Sequence, residues 1–336
     1  KEINSNLRWR QPQLSEIKTF AQLVPMTLLL YDDIYLRHDT GPSHPENYKR
    51  LECIVDHLKT TGLWDKSTLM NPRAATVEEI ALVHERAYID RARQLAEAGG
   101  GQLDPDTTLS RDSYRAALYA AGALLTAADA IMEGMSKNAF CMVRPPGHHA
   151  RPANGMGFCV FNNVAVAAQY LVSRHKLKRV FILDWDCHHG NGTQEMFYGE
   201  PGVFYMSLHR WPFYPGTGGA DERGSGPGKG FTLNIPVTDG TSPEECITSF
   251  KNAMDNDIKA FNPEFIIISA GFDGYSEDPV GGLGLAAEDF ATLTGITLEL
   301  ADRCCRGRVL SCLEGGYNLQ GLPLCVEQHL NLLLEA

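Results

Sequence analysis

The run Arg179-Val180-Phe181-Ile182-Leu183, followed at once by Asp184-Trp185-Asp186-Cys187-His188-His189-Gly190-Asn191-Gly192-Thr193, decides how this chain is read. Four consecutive apolar residues after Arg179, with no polar alternation, suit a strand buried on both faces. It ends in a burst of acids, imidazoles and glycines. Outward from this point the same pattern recurs: apolar runs at 27–31, 139–143, 203–208, 231–235, 265–269 and 309–313, with helical patterns at 46–59, 77–98, 110–133, 163–173, 242–260, 287–304 and 322–334. Strands alternating with helices predict an α/β domain built on a parallel sheet with helices on both faces. The domain is placed at 26–336, with 1–25 as an N-terminal extension. Thr76 followed by Glu79 predicts a capping box.

Polar residues gather just after the strands, at 144–149, 184–192, 207–218, 270–273 and 314–317. Ligands bind beyond the carboxyl ends of strands in such sheets, so five bursts at one edge describe a site. Asp184, Asp186 and His188 recur with period 2, and on a continuing strand they would project to one side. Asp and His are ligands for zinc and similar ions, and catalytic sites use three protein ligands. Asp273, after the run 265–269, supplies a further carboxylate. His148 and His149 follow a rigid Pro145-Pro146 turn, where imidazoles suit proton transfer near neutral pH. Tyr317 follows Gly315-Gly316; its phenol could donate to a developing oxyanion, although a tyrosine in a turn is more often structural.

Composition narrows the function class. With 336 residues, 43% hydrophobic and 21% charged, the chain can bury a sizeable core. A net charge of -11 argues against a grip on phosphate backbones, so no direct nucleic-acid binding is expected. The nine cysteines are odd in number and contain no Cys-x-x-Cys pair, and several fall in apolar runs; free thiols in a reducing, cytoplasmic compartment are the expectation. A targeting segment ahead of Lys1 is left open. No apolar run reads as a spanning helix, because 116–132 is interrupted by polar residues, so no membrane association is expected.

Taken together, Arg144-Pro-Pro-Gly-His-His-Ala150, Gly157-Phe-Cys-Val-Phe-Asn-Asn163, the segment 184–194, Ser207-Leu-His209, Tyr214-Pro-Gly-Thr-Gly218, Ser269-Ala-Gly-Phe-Asp273 and Glu314-Gly-Gly-Tyr317 resemble the histone deacetylases and their bacterial relatives, in family order from about residue 26 to the end. The resemblance implies the arginase/deacetylase fold, a single domain with a parallel sheet of about eight strands flanked by helices. It implies one Zn2+ held by Asp186, His188 and Asp273. His149 would act as general base and then acid, with His148 as its charged partner, Asp184 hydrogen-bonded to His148, and Tyr317 polarising the amide carbonyl. It further implies a structural K+ near Asp184, Asp186, His188, Ser207 and Leu208. Phe158 and Tyr214 would wall an acyl-lysine tunnel beside Gly157, with Asp106 at the rim holding the substrate backbone and Asp104 as a near neighbour. Asn191 stands where many class I members have Asp, which is similar to class II and bacterial proteins. Tyr214 stands where Phe is usual.

The expected reaction is hydrolysis of an acetyl-lysine-type amide to acetate and free amine. The substrate is an acetylated protein or peptide, or a small acylated amine, and homo-oligomerisation stays open. Val280 occupies the place where polyamine-specific relatives tend to carry Glu, which disfavours polyamines. Two rivals remain. An arginase-like enzyme would use two manganese ions and an Asp-x-His-x-Asp run, whereas the order here is Asp184-x-Asp186-x-His188. A catalytically silent acyl-lysine-binding module would not require both histidines and Tyr317.

Overall fold

In the computed structural model, which describes residues 27–336, the apolar runs become strands because every residue in most of them is buried. The strands are β1 (Leu28–Leu30), β2 (Thr68–Met70), β3 (Gly100–Asp104), β4 (Thr107–Ser110), β5 (Asn138–Cys141), β6 (Val180–Asp184), β7 (Val203–Arg210), β8 (Thr232–Val237), β9 (Phe265–Ala270) and β10 (Val309–Leu313). Eight form one sheet in the order β2-β1-β5-β10-β9-β6-β7-β8, with all pairs parallel. The remaining pair, β3 and β4, is an antiparallel hairpin. The 1–25 extension lies outside the described residues.

Helices cover the sheet in two groups. Ser113–Met132 packs on Asn163–Ser173 and touches β5 and β10, while Gly321–Glu335 packs between Ala287–Cys305 and Lys49–Thr60 and touches β5 from the other side. Contrary to the composition reading, Ser113–Met132 is long and apolar enough to span a membrane. Two-thirds of its apolar window is buried inside the protein, which makes it a core helix.

Three expectations are corrected. The stretch 77–98 forms two helices, Val77–Ile80 and Arg86–Glu97, because the chain is pinned between them. There the buried His84 ring accepts from Asn162 N–H and faces the Arg151 carbonyl, and Glu85 N–H donates to Pro152 O. The stretch 242–260 is interrupted by a π-helical turn at Met254–Ile258. Finally, β2, β3 and β4 are strands with no apolar run to announce them: β2 is an exposed edge, and the hairpin is polar. The Thr76 capping box is present, with Thr76 Oγ1 and Glu79 satisfying each other's backbone N–H groups.

The register places the site. Cys141 pairs with Cys312, Cys312 with Ser269, Ser269 with Asp184, Asp184 with Ser207, and Ser207 with Asn234. This is a single row across six strands near their carboxyl ends. Beyond it β5, β6, β9 and β10 end within one residue, while β7 and β8 stay paired as far as Arg210 and Val237, and the polar bursts therefore meet at this edge.

Candidate active site

Where β6 stops at Asp184, the chain turns through local hydrogen bonds. Asp186 N–H donates to Asp184 Oδ1 at 3.1 Å, and His188 N–H to Asp186 Oδ1 at 2.9 Å. The expected continuing strand is thus absent, and turns of the Asp type bring Asp186 and His188 together. Asp273 approaches from the end of β9. His188 Nδ1 lies 3.1 Å from Asp186 Oδ1 and 2.9 Å from Asp273 Oδ2. The far oxygens are held by backbone N–H groups, Asp186 Oδ2 by Gly315 and Asp273 Oδ1 by Cys187, both at 2.8 Å.

All three side chains are buried, and their ligand atoms lie within 4.8 Å of one another. Burial lowers the affinity of His188 for a proton, but Asp186 and Asp273 outweigh it and push its pKa up to about 10. Burial and the neighbouring Asp186 charge push Asp273 up to about 7. Two buried acids facing one imidazole thus need positive charge between them. Two oxygens and one nitrogen suit a single divalent ion, which fits the expected set. His148, Cys159 and Glu314 form a second cluster of the same size. There Glu314 already accepts from Gly147 N–H, His148 N–H and Ser269 Oγ, and His148 Nδ1 faces Asp184 Oδ2, so these donors are committed.

Beyond β5, the adjacent imidazoles sit with ring centroids 4.0 Å apart. His148 Nδ1 is 3.1 Å from Asp184 Oδ2, and His149 Nδ1 is 2.9 Å from Asn191 Oδ1. Their environments separate them. Burial opposes charge on His148, yet Asp186 and Asp184 prevail and raise it to about 10. Burial, together with the charges of His148 and His188, holds His149 well below the usual imidazole range. A charged imidazole therefore lies against a neutral one.

Above these groups opens a cavity of about 220 Å³ lined by Asp106, His149, Gly157, Phe158, His188, Phe213, Tyr214, Val280 and Tyr317. Phe158 meets Tyr317 edge-on at 5.9 Å, and Tyr214 meets His149 at 5.2 Å. Gly157 is required where it stands, because a Cβ there would come within 2.4 Å of the His149 ring and its φ is +57°. Phe158 also has positive φ, unusual for an aromatic residue. The β3–β4 hairpin holds this turn: Gly157 N–H donates to Asp106 Oδ1 and Phe158 N–H to Thr107 Oγ1, both at 3.0 Å. Asp106, not Asp104, lines the cavity.

The structure thus brings His148, His149, Asp184, Asp186, His188, Asp273, Tyr317, Phe158, Tyr214, Gly157 and Asp106 into one place. Ser207 and Leu208 lie on β7, with Ser207 paired in register with Asp184 and its hydroxyl 2.8 Å from His209 Nδ1.

Several residues of the site escaped the sequence reading. Phe213 stacks on His188 at 5.2 Å, and Asn191, which in the sequence marks only the subgroup, faces His149 Nδ1. His44 meets Phe158 edge-on at 4.6 Å. Glu46, wholly buried, accepts from Arg50 at 3.0 Å and from Arg144 at 2.5 and 2.9 Å. Arg50 then donates to Gly316 O and Glu314 O and lies 4.9 Å from the Tyr317 ring centre. Adjacent histidines and a Tyr after Gly-Gly mark themselves in a sequence; a Glu and an Arg inside a helical pattern do not.

Comparison with known proteins agrees with this geometry. Residues 44–333 match the family described as Histone deacetylase domain. A "Probable deacetylase" of Archaeoglobus fulgidus is 39% identical over 298 residues, 88% of this chain and 82% of that one. The "Histone deacetylase-like amidohydrolase" of Pseudomonas aeruginosa is 34% identical over 320 residues, 89% of this chain and 83% of that one. The crystal structure of the HD domain of HDA15 superposes with a TM-score of 0.87 at 38% identity, covering 93% of this chain and 89% of that one. The expected arginase/deacetylase fold is the fold observed. On the match of domain, sequence and three-dimensional structure together, the chain belongs to the histone deacetylase family of deacetylases and amidohydrolases.

Proposed function

We propose that the chain is a zinc-dependent deacylase that hydrolyses the amide of acetyl-lysine, or of a similar acylated amine, to acetate and free amine. The observation that carries this reading is the meeting of Asp186, His188 and Asp273 at the foot of an aromatic cavity that also presents His149 and Tyr317. Zn2+, when bound by those three residues, supplies an acidified water and a Lewis acid for the carbonyl. Neutral His149 accepts the water's proton and returns it to the leaving amine, which otherwise departs poorly. His148, charged through Asp184 and Asp186, keeps His149 from being protonated in advance. Tyr317 donates to the developing oxyanion. Phe158 and Tyr214 flank the apolar stem of the acyl-lysine, and Asp106 at the rim engages the substrate backbone.

A structural K+ near Asp184, Asp186, His188, Ser207 and Leu208 belongs to the same reading, supported by the burial and register pairing of Asp184 and Ser207. The substrate class is an acylated peptide or protein, or a small acylated amine, and Val280 at the cavity wall supports the former over a polyamine. The free cysteines fit a reducing compartment, and the net charge of -11 leaves nucleic acid an unsuited partner.

Metal analysis of the purified protein, paired with turnover on acetyl-lysine peptides, acetylpolyamines and trifluoroacetyl-lysine, tests the proposal. One zinc per chain with peptide turnover is expected. Two metal ions per chain point to an arginase-type centre, and an intact fold with no metal and no turnover points to a binding module.

A further inference from the structure

Tyr317 stands on a backbone with little stiffness of its own. Gly315 is obligatory, since a Cβ there would come within 2.4 Å of Asp273 Oδ2 and 2.5 Å of Asp186 Oδ2. Gly316 has φ +119°, a conformation other residues rarely adopt. Two glycines let the loop close over the carboxylates, at the cost of leaving the phenol on the most pliable kind of backbone.

One side chain counters this. Asp278 Oδ2 accepts from Tyr317 N–H at 2.6 Å and from Asn318 N–H at 3.1 Å. Its other oxygen, Oδ1, accepts from Val280 N–H at 2.9 Å and Gly281 N–H at 3.0 Å. A single carboxylate thus ties together the loop after β9 and the loop after β10, each of which sends one residue, Val280 and Tyr317, into the cavity wall. Asn318 adds a reciprocal stitch, its Nδ2 donating to Glu277 O at 2.8 Å. Four backbone N–H donors thus converge on the two oxygens of one carboxyl group. Asp278 does not line the cavity.

We infer that Asp278 is a positioning residue for Tyr317, clamping the two-glycine loop so that the phenol is held at the reacting carbonyl. The inference rests on the oxyanion role proposed above for Tyr317. Small displacements of a catalytic group are costly, on the order of 100-fold for 1 Å. Asparagine in place of Asp278 keeps one carbonyl oxygen but turns its second acceptor into a donor facing N–H groups, so one half of the clamp is lost.

The test uses the full zinc-loaded chain and compares wild type, Asp278→Asn, Tyr317→Phe and the double variant on an acetyl-lysine peptide and its trifluoroacetyl counterpart. Asp278→Asn is expected to lower kcat on the acetyl substrate by about 10- to 100-fold with little change in KM, zinc content or Tm. The loss should be smaller on the activated trifluoroacetyl substrate. The double variant should be no slower than Tyr317→Phe alone, because a clamp for a missing hydroxyl has nothing left to position. Losses that multiply in the double variant, or a wild-type kcat for Asp278→Asn beside a slow Tyr317→Phe, overturn the positioning role and leave the deacylase reading intact. A Tyr317→Phe variant as fast as wild type removes the oxyanion role and this inference with it. Should Asp278→Asn fail to fold, Asp278→Glu, which keeps the carboxylate but moves it by one methylene, is read in the same cycle.

Discussion

At the scale of single residues, the division of labour between two adjacent imidazoles is the most informative feature. His148 and His149 share a motif and a ring contact, yet three carboxylates charge the one while burial and its charged neighbours keep the other neutral. His149→Ala should therefore lower turnover by about 100-fold or more, while metal content by elemental analysis stays at the wild-type level, since His149 is outside the ligand set. Equal loss of metal would assign His149 to that set. Tyr317→Phe keeps the ring that packs on Phe158 and under Arg50, so substrate binding should hold while kcat falls by about 100- to 1000-fold. Unchanged acetyl-lysine turnover would make Tyr317 a structural turn residue. Both histidines and the tyrosine were legible in the sequence because they stand directly after apolar runs; Asn191, which holds His149, was visible as a departure but not as a partner.

At the scale of elements, close approach decides more than propensity. Helix Ser113–Met132 passes over the segment 73–75 at Gly122, where a Cβ would come within 1.9 Å of Arg73 O and 2.6 Å of Ala75 N. Alanine gains about 1 kcal/mol over glycine in a helix interior. Here the obstacles are backbone atoms, one of them fixed by the Ala75 N–H bond to Leu118 O at 2.8 Å, and overpacking costs about 1–3 kcal/mol or more when neighbours cannot move. Gly122→Ala should lower the thermal midpoint; a rise would show that the strap shifts freely. The same reasoning explains which elements the sequence hid. The hairpin β3–β4 carries polar residues and needs Gly100, whose Cβ would come within 2.5 Å of Leu109 O, yet it positions Phe158 through Asp106 and Thr107. Its function in the fold is expressed in hydrogen bonds, which leave no hydrophobic period to read.

At the scale of the whole molecule, buried histidines make the fold sensitive to acid. Burial lowers His329, His38 and His209 to about 3 and His84 and His189 to about 4, from an ordinary 6.5. Each stays neutral in the fold while the unfolded chain binds a proton, so their contribution is full above about pH 6.5 and falls as pH drops toward 3 or 4. Glu46 acts in the same direction at lower pH: burial raises it, but Arg144 and Arg50 prevail and hold it at about 2, so its contribution is lost as pH falls from about 4.5 through 2. His329 isolates the effect, lying 2.7 Å from Thr294 Oγ1 and 2.8 Å from Ser311 Oγ, away from the metal set. Urea unfolding of His329→Gln at pH 7, 6 and 5 should show a slope of stability with pH smaller by about 1.4 kcal/mol per unit in the lower part of that range. An unchanged slope would mean that His329 is protonated in the fold.

By itself the sequence determined the sheet class, seven of the eight sheet strands closely, and the motifs that bear His148, His149, Asp186, His188, Asp273 and Tyr317, because burial writes itself as apolar runs and chemistry as polar bursts after them. Only the tertiary structure decided which distant groups hold those residues in place. Glu46 meets Arg144 across 98 positions, Arg50 reaches Glu314 O across 264, and Asp278 reaches Tyr317 across 39. A carboxylate or guanidinium in such a role looks, along the chain, like any solvated charge. Its meaning comes from the partner that folding brings to it and from the loss of water there, and neither is a local property of sequence.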